Sequence, residues 1–299
     1  MTIQNRALRS IQPIRATALA ALVASGLCAA PAIAQVDALT SAKMIKPAEG
    51  LEATLWASEP MVKNPTTIDI DSRGRVWVTE GLNYRLHRNA ARKMERVPEA
   101  DAIKILEDTD GDGKADKVTV FAEKIFPIPM GIAVEERYDK SGKYTGCKVY
   151  VGNSPNLLVL EDTDGDDKAD IRYPLLTGFG GIDSDHGVHG MTLGIDGKLY
   201  FTHGDGCCSV QPEGGDKVQN FDVMDKSGRR VTTDQLATTL RVNRDGTQFE
   251  VLADRQRNNY ETSQDSFGTL FTSDNDDDGR RGSRVIWIMD GGKYGYRTP

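Results

Sequence analysis

Two acidic loops of nearly the same sequence recur along the chain. They cover residues 108–116 (DTDGDGKAD) and residues 162–170 (DTDGDDKAD), 54 residues apart. Carboxylates at alternate positions can converge on one hard cation, and Gly at the sixth position allows the sharp turn of a calcium loop. The predicted calcium ligands are Asp108, Asp110, Asp112 and Asp116 in the first loop, and Asp162, Asp164, Asp166 and Asp170 in the second.

Neither loop carries the complete ligand set of an EF-hand. Thr119 stands at the twelfth position of the first loop, where Glu is expected, and Asp167 stands where the second loop should have Gly. A third acidic stretch begins 112 residues after Asp162, at about twice the first spacing, and adds the candidate ligands Asp274, Asp276 and Asp278. We expect structural calcium in at least one loop; the alternative is that all three are solvated acidic turns.

Three histidines form a second group of residues that could do chemistry. His186 and His189 lie in the sequence DHGVHG, and His203 ends the next predicted strand. A His at the mouth of a site can act as a general base, because its ordinary pKa lies near neutral pH. The spacing of His186 and His189 also suits a metal pair on a turn. The alternative is that one or two of these residues are structural.

Three cysteines, and five arginines of the C-terminal part of the sequence, are further candidates for functional residues. Of the four cysteines, Cys28 lies in the N-terminal apolar run that is expected to be removed, and Cys147, Cys207 and Cys208 then leave an odd thiol in an oxidising compartment. Cys207 and Cys208 could form a vicinal disulfide, remain thiols, or leave one of them bonded to Cys147. Several basic residues could hold an anionic cofactor or pair with nearby Asp residues: Arg255, Arg257, Arg280, Arg281 and Arg284.

Short alternating segments joined by tight turns must position these residues. Residues 67–70 and 75–79 flank an Asp-Ser-Arg-Gly turn, and residues 191–195 and 198–202 flank Asp-Gly. Alternation around such turns predicts β-hairpins. Further strands are expected at residues 148–151 and 239–242, and a helix limited by Pro98 is expected at residues 89–102.

The 54-residue spacing of the first two acidic loops suggests a structural repeat. Self-similarity at this period, with several short strands in each unit, indicates β-propeller blades. The chain would hold about four to five such units. It stops at Thr298-Pro299, directly after a strand and a Gly-rich turn. Because a propeller normally closes with a returning strand, the natural chain is expected to be longer.

The N-terminus has the features of a secretory signal peptide. Arg6, Arg9 and Arg15 precede the apolar run of residues 16–30, and Ala32-Ile33-Ala34 supplies a small-residue cleavage site. The run is shorter than the roughly 20 residues that span a bilayer. We therefore expect removal of residues 1–34, a propeller domain at residues 35–299, no membrane span after cleavage, and a periplasmic or secreted protein.

The net charge of the chain indicates which classes of partner it is expected to bind. The net charge is −7, and loss of the three Arg residues of the leader, which has no acidic residue, lowers it to −10. An acidic surface repels the phosphates of nucleic acids, so no nucleic-acid partner is expected. Divalent cations and neutral substrates suit such a surface better.

Several blocks of sequence resemble the soluble glucose/sorbosone dehydrogenases and occur in the same order. The blocks are Asp185-His186, residues 193–205, residues 239–247, Arg257-Asn258, residues 268–275 and residues 291–296. Residues 55–60 (LWASEP) and the first two acidic loops also resemble planctomycete-type "membrane-bound dehydrogenase" propellers. Those proteins are often described as haem-binding because a Cys-x-x-Cys-His module lies further along. The resemblance covers most of residues 50–299.

This resemblance implies an all-β, six-bladed β-propeller that is incomplete in this chain. It also implies pyrroloquinoline quinone (PQQ) and calcium as cofactors. His186 occupies the position of the base that removes a substrate hydroxyl proton while hydride passes to the quinone. Arg257 and Asn258 match a cofactor-contacting pair, and the stretch that begins at Asp274 matches a calcium loop near the quinone.

The resemblance thus predicts a PQQ-dependent dehydrogenase of a small sugar or alcohol, with cytochrome c as electron acceptor. Haem c is expected only if a downstream domain exists, because this sequence has no Cys-x-x-Cys-His. Gln256 replaces a His of the family, and Asn259 replaces a Pro. The alternative is a non-catalytic, calcium-stabilised propeller that binds a glycan or a protein partner. Hydrolysis by a lactonase-type calcium propeller is a third possibility.

Overall fold

The computed structural model describes residues 36–85, 97, 100–205, 221–233, 237–276, 279 and 282–296. Within these residues there are one short helix, α1 (Ala38–Met44), and 18 β-strands. None of the helical structure in this part of the chain is long and apolar enough to cross a bilayer. The predicted signal peptide, residues 1–34, lies outside the described residues.

The first two blades are four-stranded antiparallel sheets whose strands follow chain order. Blade 1 contains β1 (Pro65–Ile70), β2 (Val76–Glu80), β3 (Ile103–Glu107) and β4 (Lys117–Ala122). Blade 2 contains β5 (Gly131–Tyr138), β6 (Tyr144–Asn153), β7 (Asn156–Asp162) and β8 (Ile171–Thr177). In both blades an acidic loop connects the third strand to the fourth.

Blades 3 and 4 depart from this simple plan. Blade 3 contains β9 (Val188–Leu193), β10 (Lys198–His203), β13 (Ala237–Asn243) and β14 (Glu250–Gln256), with β18 (Gly292–Lys293) parallel to its outer edge. A separate hairpin of β11 (Phe221–Met224) and β12 (Arg230–Thr233) lies between β10 and β13 in the chain. Blade 4 contains β15 (Thr262–Gln264), β16 (Leu270–Asp274) and β17 (Arg284–Ile288).

The first strand of each blade lies near a common axis. Strand β1 contacts β5, β5 contacts β9, and β9 contacts β15. Tyr260, just before β15, donates its hydroxyl to the main-chain oxygen of Thr66 on β1 at 3.3 Å. The prediction of an all-β propeller is therefore confirmed, with four blades in the described part of the chain.

An apolar core fills the space between each pair of successive blades. Trp77 and Phe121 of blade 1 meet edge to face at 4.9 Å and pack against Val149 and Leu160 of blade 2. A larger core joins blades 2 and 3, and a smaller one around Leu270 joins blades 3 and 4. Because side chains alternate between the two faces of a strand, each inner strand can contribute to the cores on both of its sides.

The hairpins expected from the sequence are present in the structure. Strands β1 and β2 pair around the turn after Ile70, and β9 and β10 pair around Asp196-Gly197, as predicted. Most of the helix expected at residues 89–102 lies outside the described residues. The third acidic stretch begins at the end of β16, the second strand of its blade, so it does not follow the blade repeat as predicted.

Candidate functional site

A buried loop between β8 and β9 carries His186. The main-chain N–H of His186 donates to Ser184 Oγ at 3.0 Å, and the N–H of Val188 donates to Ser154 Oγ at 2.9 Å. Gly204 lies against this loop so closely that a Cβ there would be 2.6 Å from His186 Cα. Main-chain bonds and a close glycine therefore fix the place of His186.

The imidazole of His186 lies between a carboxylate and a guanidinium. Its Nδ1 is 2.5 Å from Asp205 Oδ1, and its Nε2 is 3.4 Å from Arg257 Nη1. His186 is 5% exposed and Asp205 is 2% exposed. An ionised carboxylate can only accept, and a guanidinium can only donate. These partners favour the tautomer in which Nδ1–H donates to Asp205 and the Nε2 lone pair faces Arg257.

The predicted pair Arg257-Asn258 follows directly after β14 and is held by Asp274. The main-chain N–H groups of Arg257 and Asn258 both donate to Asp274 Oδ1 at 3.0 Å. Arg284, opposite Asp274 in the β16–β17 ladder, donates to Oδ2 through Nη2 at 2.9 Å. The structure thus brings His186, Arg257 and Asn258 together, as the resemblance implied.

Asp274 was predicted as a calcium ligand, but its carboxylate oxygens contact donors of the protein. Both of its oxygens accept hydrogen bonds from protein groups. Asp276 is exposed, and Asp278 lies outside the described residues. Calcium at Asp274, Asp276 and Asp278 therefore stays a prediction.

His189 and His203 are structural residues of the site. His189 Nε2 is 3.1 Å from Asn258 Oδ1, its Nδ1 is 2.7 Å from Thr202 Oγ1, and its ring stacks on Tyr260 at 4.5 Å. The ring nitrogens of His203 are 2.8 Å and 3.2 Å from main-chain oxygens. Burial lowers the pKa of each to about 4. Both rings are therefore neutral at pH 7.

Asp185 does not join His186 in the site. Arg85 Nη2 donates to Asp185 Oδ1 at 2.6 Å. Burial by itself would raise the pKa of Asp185, but hydrogen bonds from Arg85 and Tyr84 outweigh it and lower the pKa below its ordinary value. Burial, together with the hydrogen bond to Asp185, raises the pKa of Tyr84 to about 12. Asp185 is thus a charged anchor for the loop between β2 and β3 of blade 1.

The acidic loop of blade 1 gathers three of its four predicted ligands. Oxygens of Asp108, Asp110 and Asp116 all lie within 4.8 Å of one another. Hydrogen bonds from main-chain N–H groups, chiefly that of Gly113, lower the pKa of Asp108. Asp112 is the predicted ligand that lies outside this group. Three converging carboxylates on an exposed turn form a candidate calcium site.

The acidic loop of blade 2 gathers a different set of three. Oxygens of Asp162, Asp164 and Asp166 lie within 4.8 Å of one another, whereas Asp170 accepts the hydroxyl and N–H of Thr163. Asp167, the residue in place of Gly, has φ of +63° and receives two hydrogen bonds from Arg75 of blade 1, at 2.7 Å and 3.1 Å. The Asp that replaces Gly in this loop therefore forms an ion pair between blades 1 and 2.

The remaining candidates are separate from these sites. Cys147 is a buried free thiol, so no disulfide joins it to Cys207 or Cys208, which lie outside the described residues. Burial raises the pKa of the Cys147 thiol to about 11. The ring nitrogens of His186 and His189 contact protein groups, and the metal pair suggested for these two residues stays a prediction. Arg280 and Arg281 also lie outside the described residues.

Sequence reasoning missed the roles of Asp205 and Asp274. Asp205 ends the block of residues 193–205, but nothing in the spacing shows that it reaches His186 across 19 residues. An acid at the end of a strand that pairs with the strand after His186 is a signal that could have been used. Asp274 was recognised as acidic, yet only the β14–β16 arrangement reveals its contacts with main-chain N–H groups.

Comparison with known proteins gives a family and a fold. A family model described as "Domain of unknown function (DUF7133)" matches residues 38–289. A search of curated proteins gave no match. Among solved structures, Trichoderma reesei carbohydrate-active enzyme family AA12 superposes with a TM-score of 0.50 at 14% identity, over 84% of this chain and 59% of that one.

Two further solved structures are bacterial. PQQ-bound aldose sugar dehydrogenase from Streptomyces coelicolor has a TM-score of 0.47 and 15% identity, over 79% of this chain and 63% of that one. A putative oxidoreductase (glucose dehydrogenase) from Thermus thermophilus has a TM-score of 0.47 and 18% identity, over 79% of this chain and 64% of that one. The chain therefore spans about three fifths of each of these proteins, and the likeness is one of fold.

Proposed function

We propose that this chain, which belongs to the DUF7133 family, is the propeller of a quinone-dependent dehydrogenase of small sugars or alcohols. In this proposal the four blades are part of a six-bladed ring. The protein works in the periplasm or outside the cell, with a cytochrome c as electron acceptor. The observation that carries the proposal is the buried Asp205–His186 pair, in which His186 Nε2 lies beside Arg257.

The residues around His186 suit a cofactor such as PQQ, which carries carboxylates and quinone carbonyls. Arg257 supplies a guanidinium that can pair with a carboxylate, and Asn258 supplies a neutral amide beside it. Their main chain is fixed by Asp274, so both side chains start from a fixed position of the backbone. When bound, the quinone would supply the two-electron acceptor for hydride.

The residues of this chain would then handle the proton. His186 Nε2 accepts the hydroxyl proton of the substrate as its carbon loses hydride, so that an alcohol becomes a carbonyl compound. Asp205 orients the imidazole and stabilises the imidazolium that forms, because its carboxylate accepts the hydrogen bond from Nδ1. His189 cannot replace His186, since its Nδ1 and Nε2 already face Thr202 and Asn258.

Calcium in the loops of blades 1 and 2 is part of the proposal as a structural ion. The candidate ligands are Asp108, Asp110, Asp112 and Asp116, together with Asp162, Asp164, Asp166 and Asp170. Both loops connect third and fourth strands, whereas His186 precedes the first strand of its blade. The carboxylates that converge in each loop offer the oxygen ligands that calcium prefers, which supports this assignment.

Quinone uptake tests the proposal against its alternative, a non-catalytic propeller that binds a glycan or protein. Titration of the purified chain with PQQ in the presence of calcium, followed by quinone absorbance, should give saturable binding near one equivalent. Substitution Arg257→Gln should weaken it by about tenfold or more, because a charge-assisted pair is lost. Saturable binding of a glycan with no quinone uptake would instead support the alternative.

A further inference from the structure

Asp274 holds Arg257, which faces His186, and Asn258, which faces His189, through the main chain of both residues. Its Oδ1 accepts the N–H groups of Arg257 and Asn258, both at 3.0 Å, and its Oδ2 lies 3.2 Å from the N–H of Arg257. The Asp274 side chain is fully buried. Two successive N–H groups directed at one carboxylate define the direction in which the chain leaves β14.

The same carboxylate links blades 3 and 4. Asp274 ends β16 in blade 4, whereas Arg257 and Asn258 follow β14 in blade 3. Arg284 on β17 donates to Oδ2 through Nε at 3.2 Å and Nη2 at 2.9 Å, which balances the buried charge. Arg284 therefore supplies two of the donors that satisfy the buried carboxylate of Asp274.

We propose that Asp274 is the positioning residue of the site, and that it sets the place of Arg257 and Asn258 rather than binding a cation. The assignment rests on the proposed function, and it predicts that a carboxylate-bearing quinone is held by side chains whose main chain is anchored from the neighbouring blade. Arg284 supports Asp274 and does not itself contact the cofactor.

Two substitutions separate the roles of the carboxylate. Asp274→Ala removes every acceptor, and PQQ affinity should fall by about tenfold or more. Asp274→Asn keeps one oxygen for the two N–H groups, so affinity should recover at least in part. Arg284→Gln keeps the acceptor oxygen of Asp274, and its effect on PQQ affinity should be smaller than that of Asp274→Ala.

A matched control is available at Asp225. It is also buried, and it accepts the N–H groups of Ser227 and Arg229 in the turn of the β11–β12 hairpin and of Phe249 in the loop between β13 and β14. Asp225→Asn should lower stability without changing PQQ affinity. An equal loss of affinity in Asp225→Asn and Asp274→Ala would show a general structural effect and would overturn the proposal.

Amide hydrogen exchange gives a readout that does not require the quinone. In the unliganded chain, Asp274→Ala should accelerate exchange at the N–H groups of Arg257 and Asn258 by about tenfold or more, because their acceptor is gone. Asp225→Asn should leave these two amides unchanged. If exchange does not accelerate in Asp274→Ala, the positioning role is wrong. If it does accelerate but the wild type takes up no PQQ, the proposed function fails while the anchoring role stands.

Discussion

His186 differs from the two histidines near it in what its ring nitrogens face. His189 and His203 each have both nitrogens close to polar atoms within the fold. His186 has Asp205 on one side, and its other nitrogen faces the guanidinium of Arg257 at a long 3.4 Å. A guanidinium at that distance can move to a ligand and leave Nε2 to accept a proton. This difference in partners supports the proposed role of His186 as the base.

Gly204 should be sensitive to any side chain. A Cβ there would lie 2.4 Å from Asn258 Oδ1 and 2.6 Å from His186 Cα. Gly204→Ala should therefore lower the free energy of unfolding by about 1–3 kcal/mol, the usual cost of overpacking, and weaken PQQ binding. Urea unfolding measures the first effect and quinone titration the second.

Gly282 provides the control for this substitution, because a Cβ there meets nothing within 4 Å. Gly282→Ala should be within about 0.5 kcal/mol of wild type. Equal behaviour of the Gly204 and Gly282 variants would contradict the packing described around His186.

Some of the site could be predicted from residues, and some could not. His186, Arg257 and Asn258 came from motifs whose residues lie close together in sequence. Asp205 reaches His186 only because β9 and β10 pair in the observed register, and Asp274 reaches Arg257 only because blades 3 and 4 pack together. Contacts of this kind depend on tertiary structure, which local sequence patterns do not encode.

At the scale of elements, each acidic loop also joins its blade to the structure that precedes it. The N–H of Ala169, in the loop of blade 2, donates to Phe121 on β4 at 3.0 Å. The N–H of Ala115, in the loop of blade 1, donates to Trp56 at 2.9 Å. Residues 54–57 (TLWA) and 119–122 (TVFA) are similar in sequence. The segment around Trp56 therefore takes the place that a fourth strand takes between blades 1 and 2.

Calcium should stabilise the chain through the two acidic loops. A ligand that binds only the folded state adds about 2.7 kcal/mol for each site at a hundred times its Kd. Thermal unfolding should therefore shift upward with calcium and return with a chelator. Asp108→Ala and Asp162→Ala should each remove part of the shift, since each deletes one of three converging carboxylates.

Asp139 is a suitable control for these variants. It is an exposed turn carboxylate that accepts the N–H groups of Ser141 and Lys143, and within the described residues it belongs to no group of three ligands. Asp139→Ala should retain the whole calcium shift. Identical melting of the wild-type chain in calcium and in chelator would show that the loops are solvated turns, the alternative that their sequence left open.

The whole molecule should lose stability in mild acid. Burial lowers the pKa of His189 and His203 from 6.5 to about 4, so between these values the unfolded chain binds more protons than the folded chain. Stability therefore falls as pH decreases from 6.5 towards 4, by about 1.4 kcal/mol per pH unit for each His. Burial raises the pKa of Glu261 to about 7, which opposes this trend, but the exposure of this residue to solvent limits the effect.

Urea unfolding at pH 7.5 and pH 5.5 measures this dependence. We expect the free energy of unfolding to be about 2 kcal/mol lower at pH 5.5. His189→Gln should remove roughly half of the difference, because one of two titrating rings is gone. A chain that is equally stable at both pH values would contradict the burial of the two neutral imidazoles.

The propeller architecture was the most predictable feature of the molecule. The repeat of the first two acidic loops, and hairpin turns such as Asp196-Gly197, follow from local sequence. The third acidic stretch does not follow the repeat, because composition alone does not show which pair of strands a loop connects. The insertion of β11 and β12 between β10 and β13 likewise has no periodic signal.

The central claim is that His186 is the base of a quinone-dependent oxidation, and reconstituted turnover tests it most directly. The chain loaded with PQQ and calcium is mixed with a redox dye and a panel of sugars and alcohols. Wild type should reduce the dye with at least one substrate, and His186→Gln should bind PQQ but lose about 10²–10⁴-fold in rate, the usual contribution of a general base. An unchanged rate in His186→Gln would contradict the account.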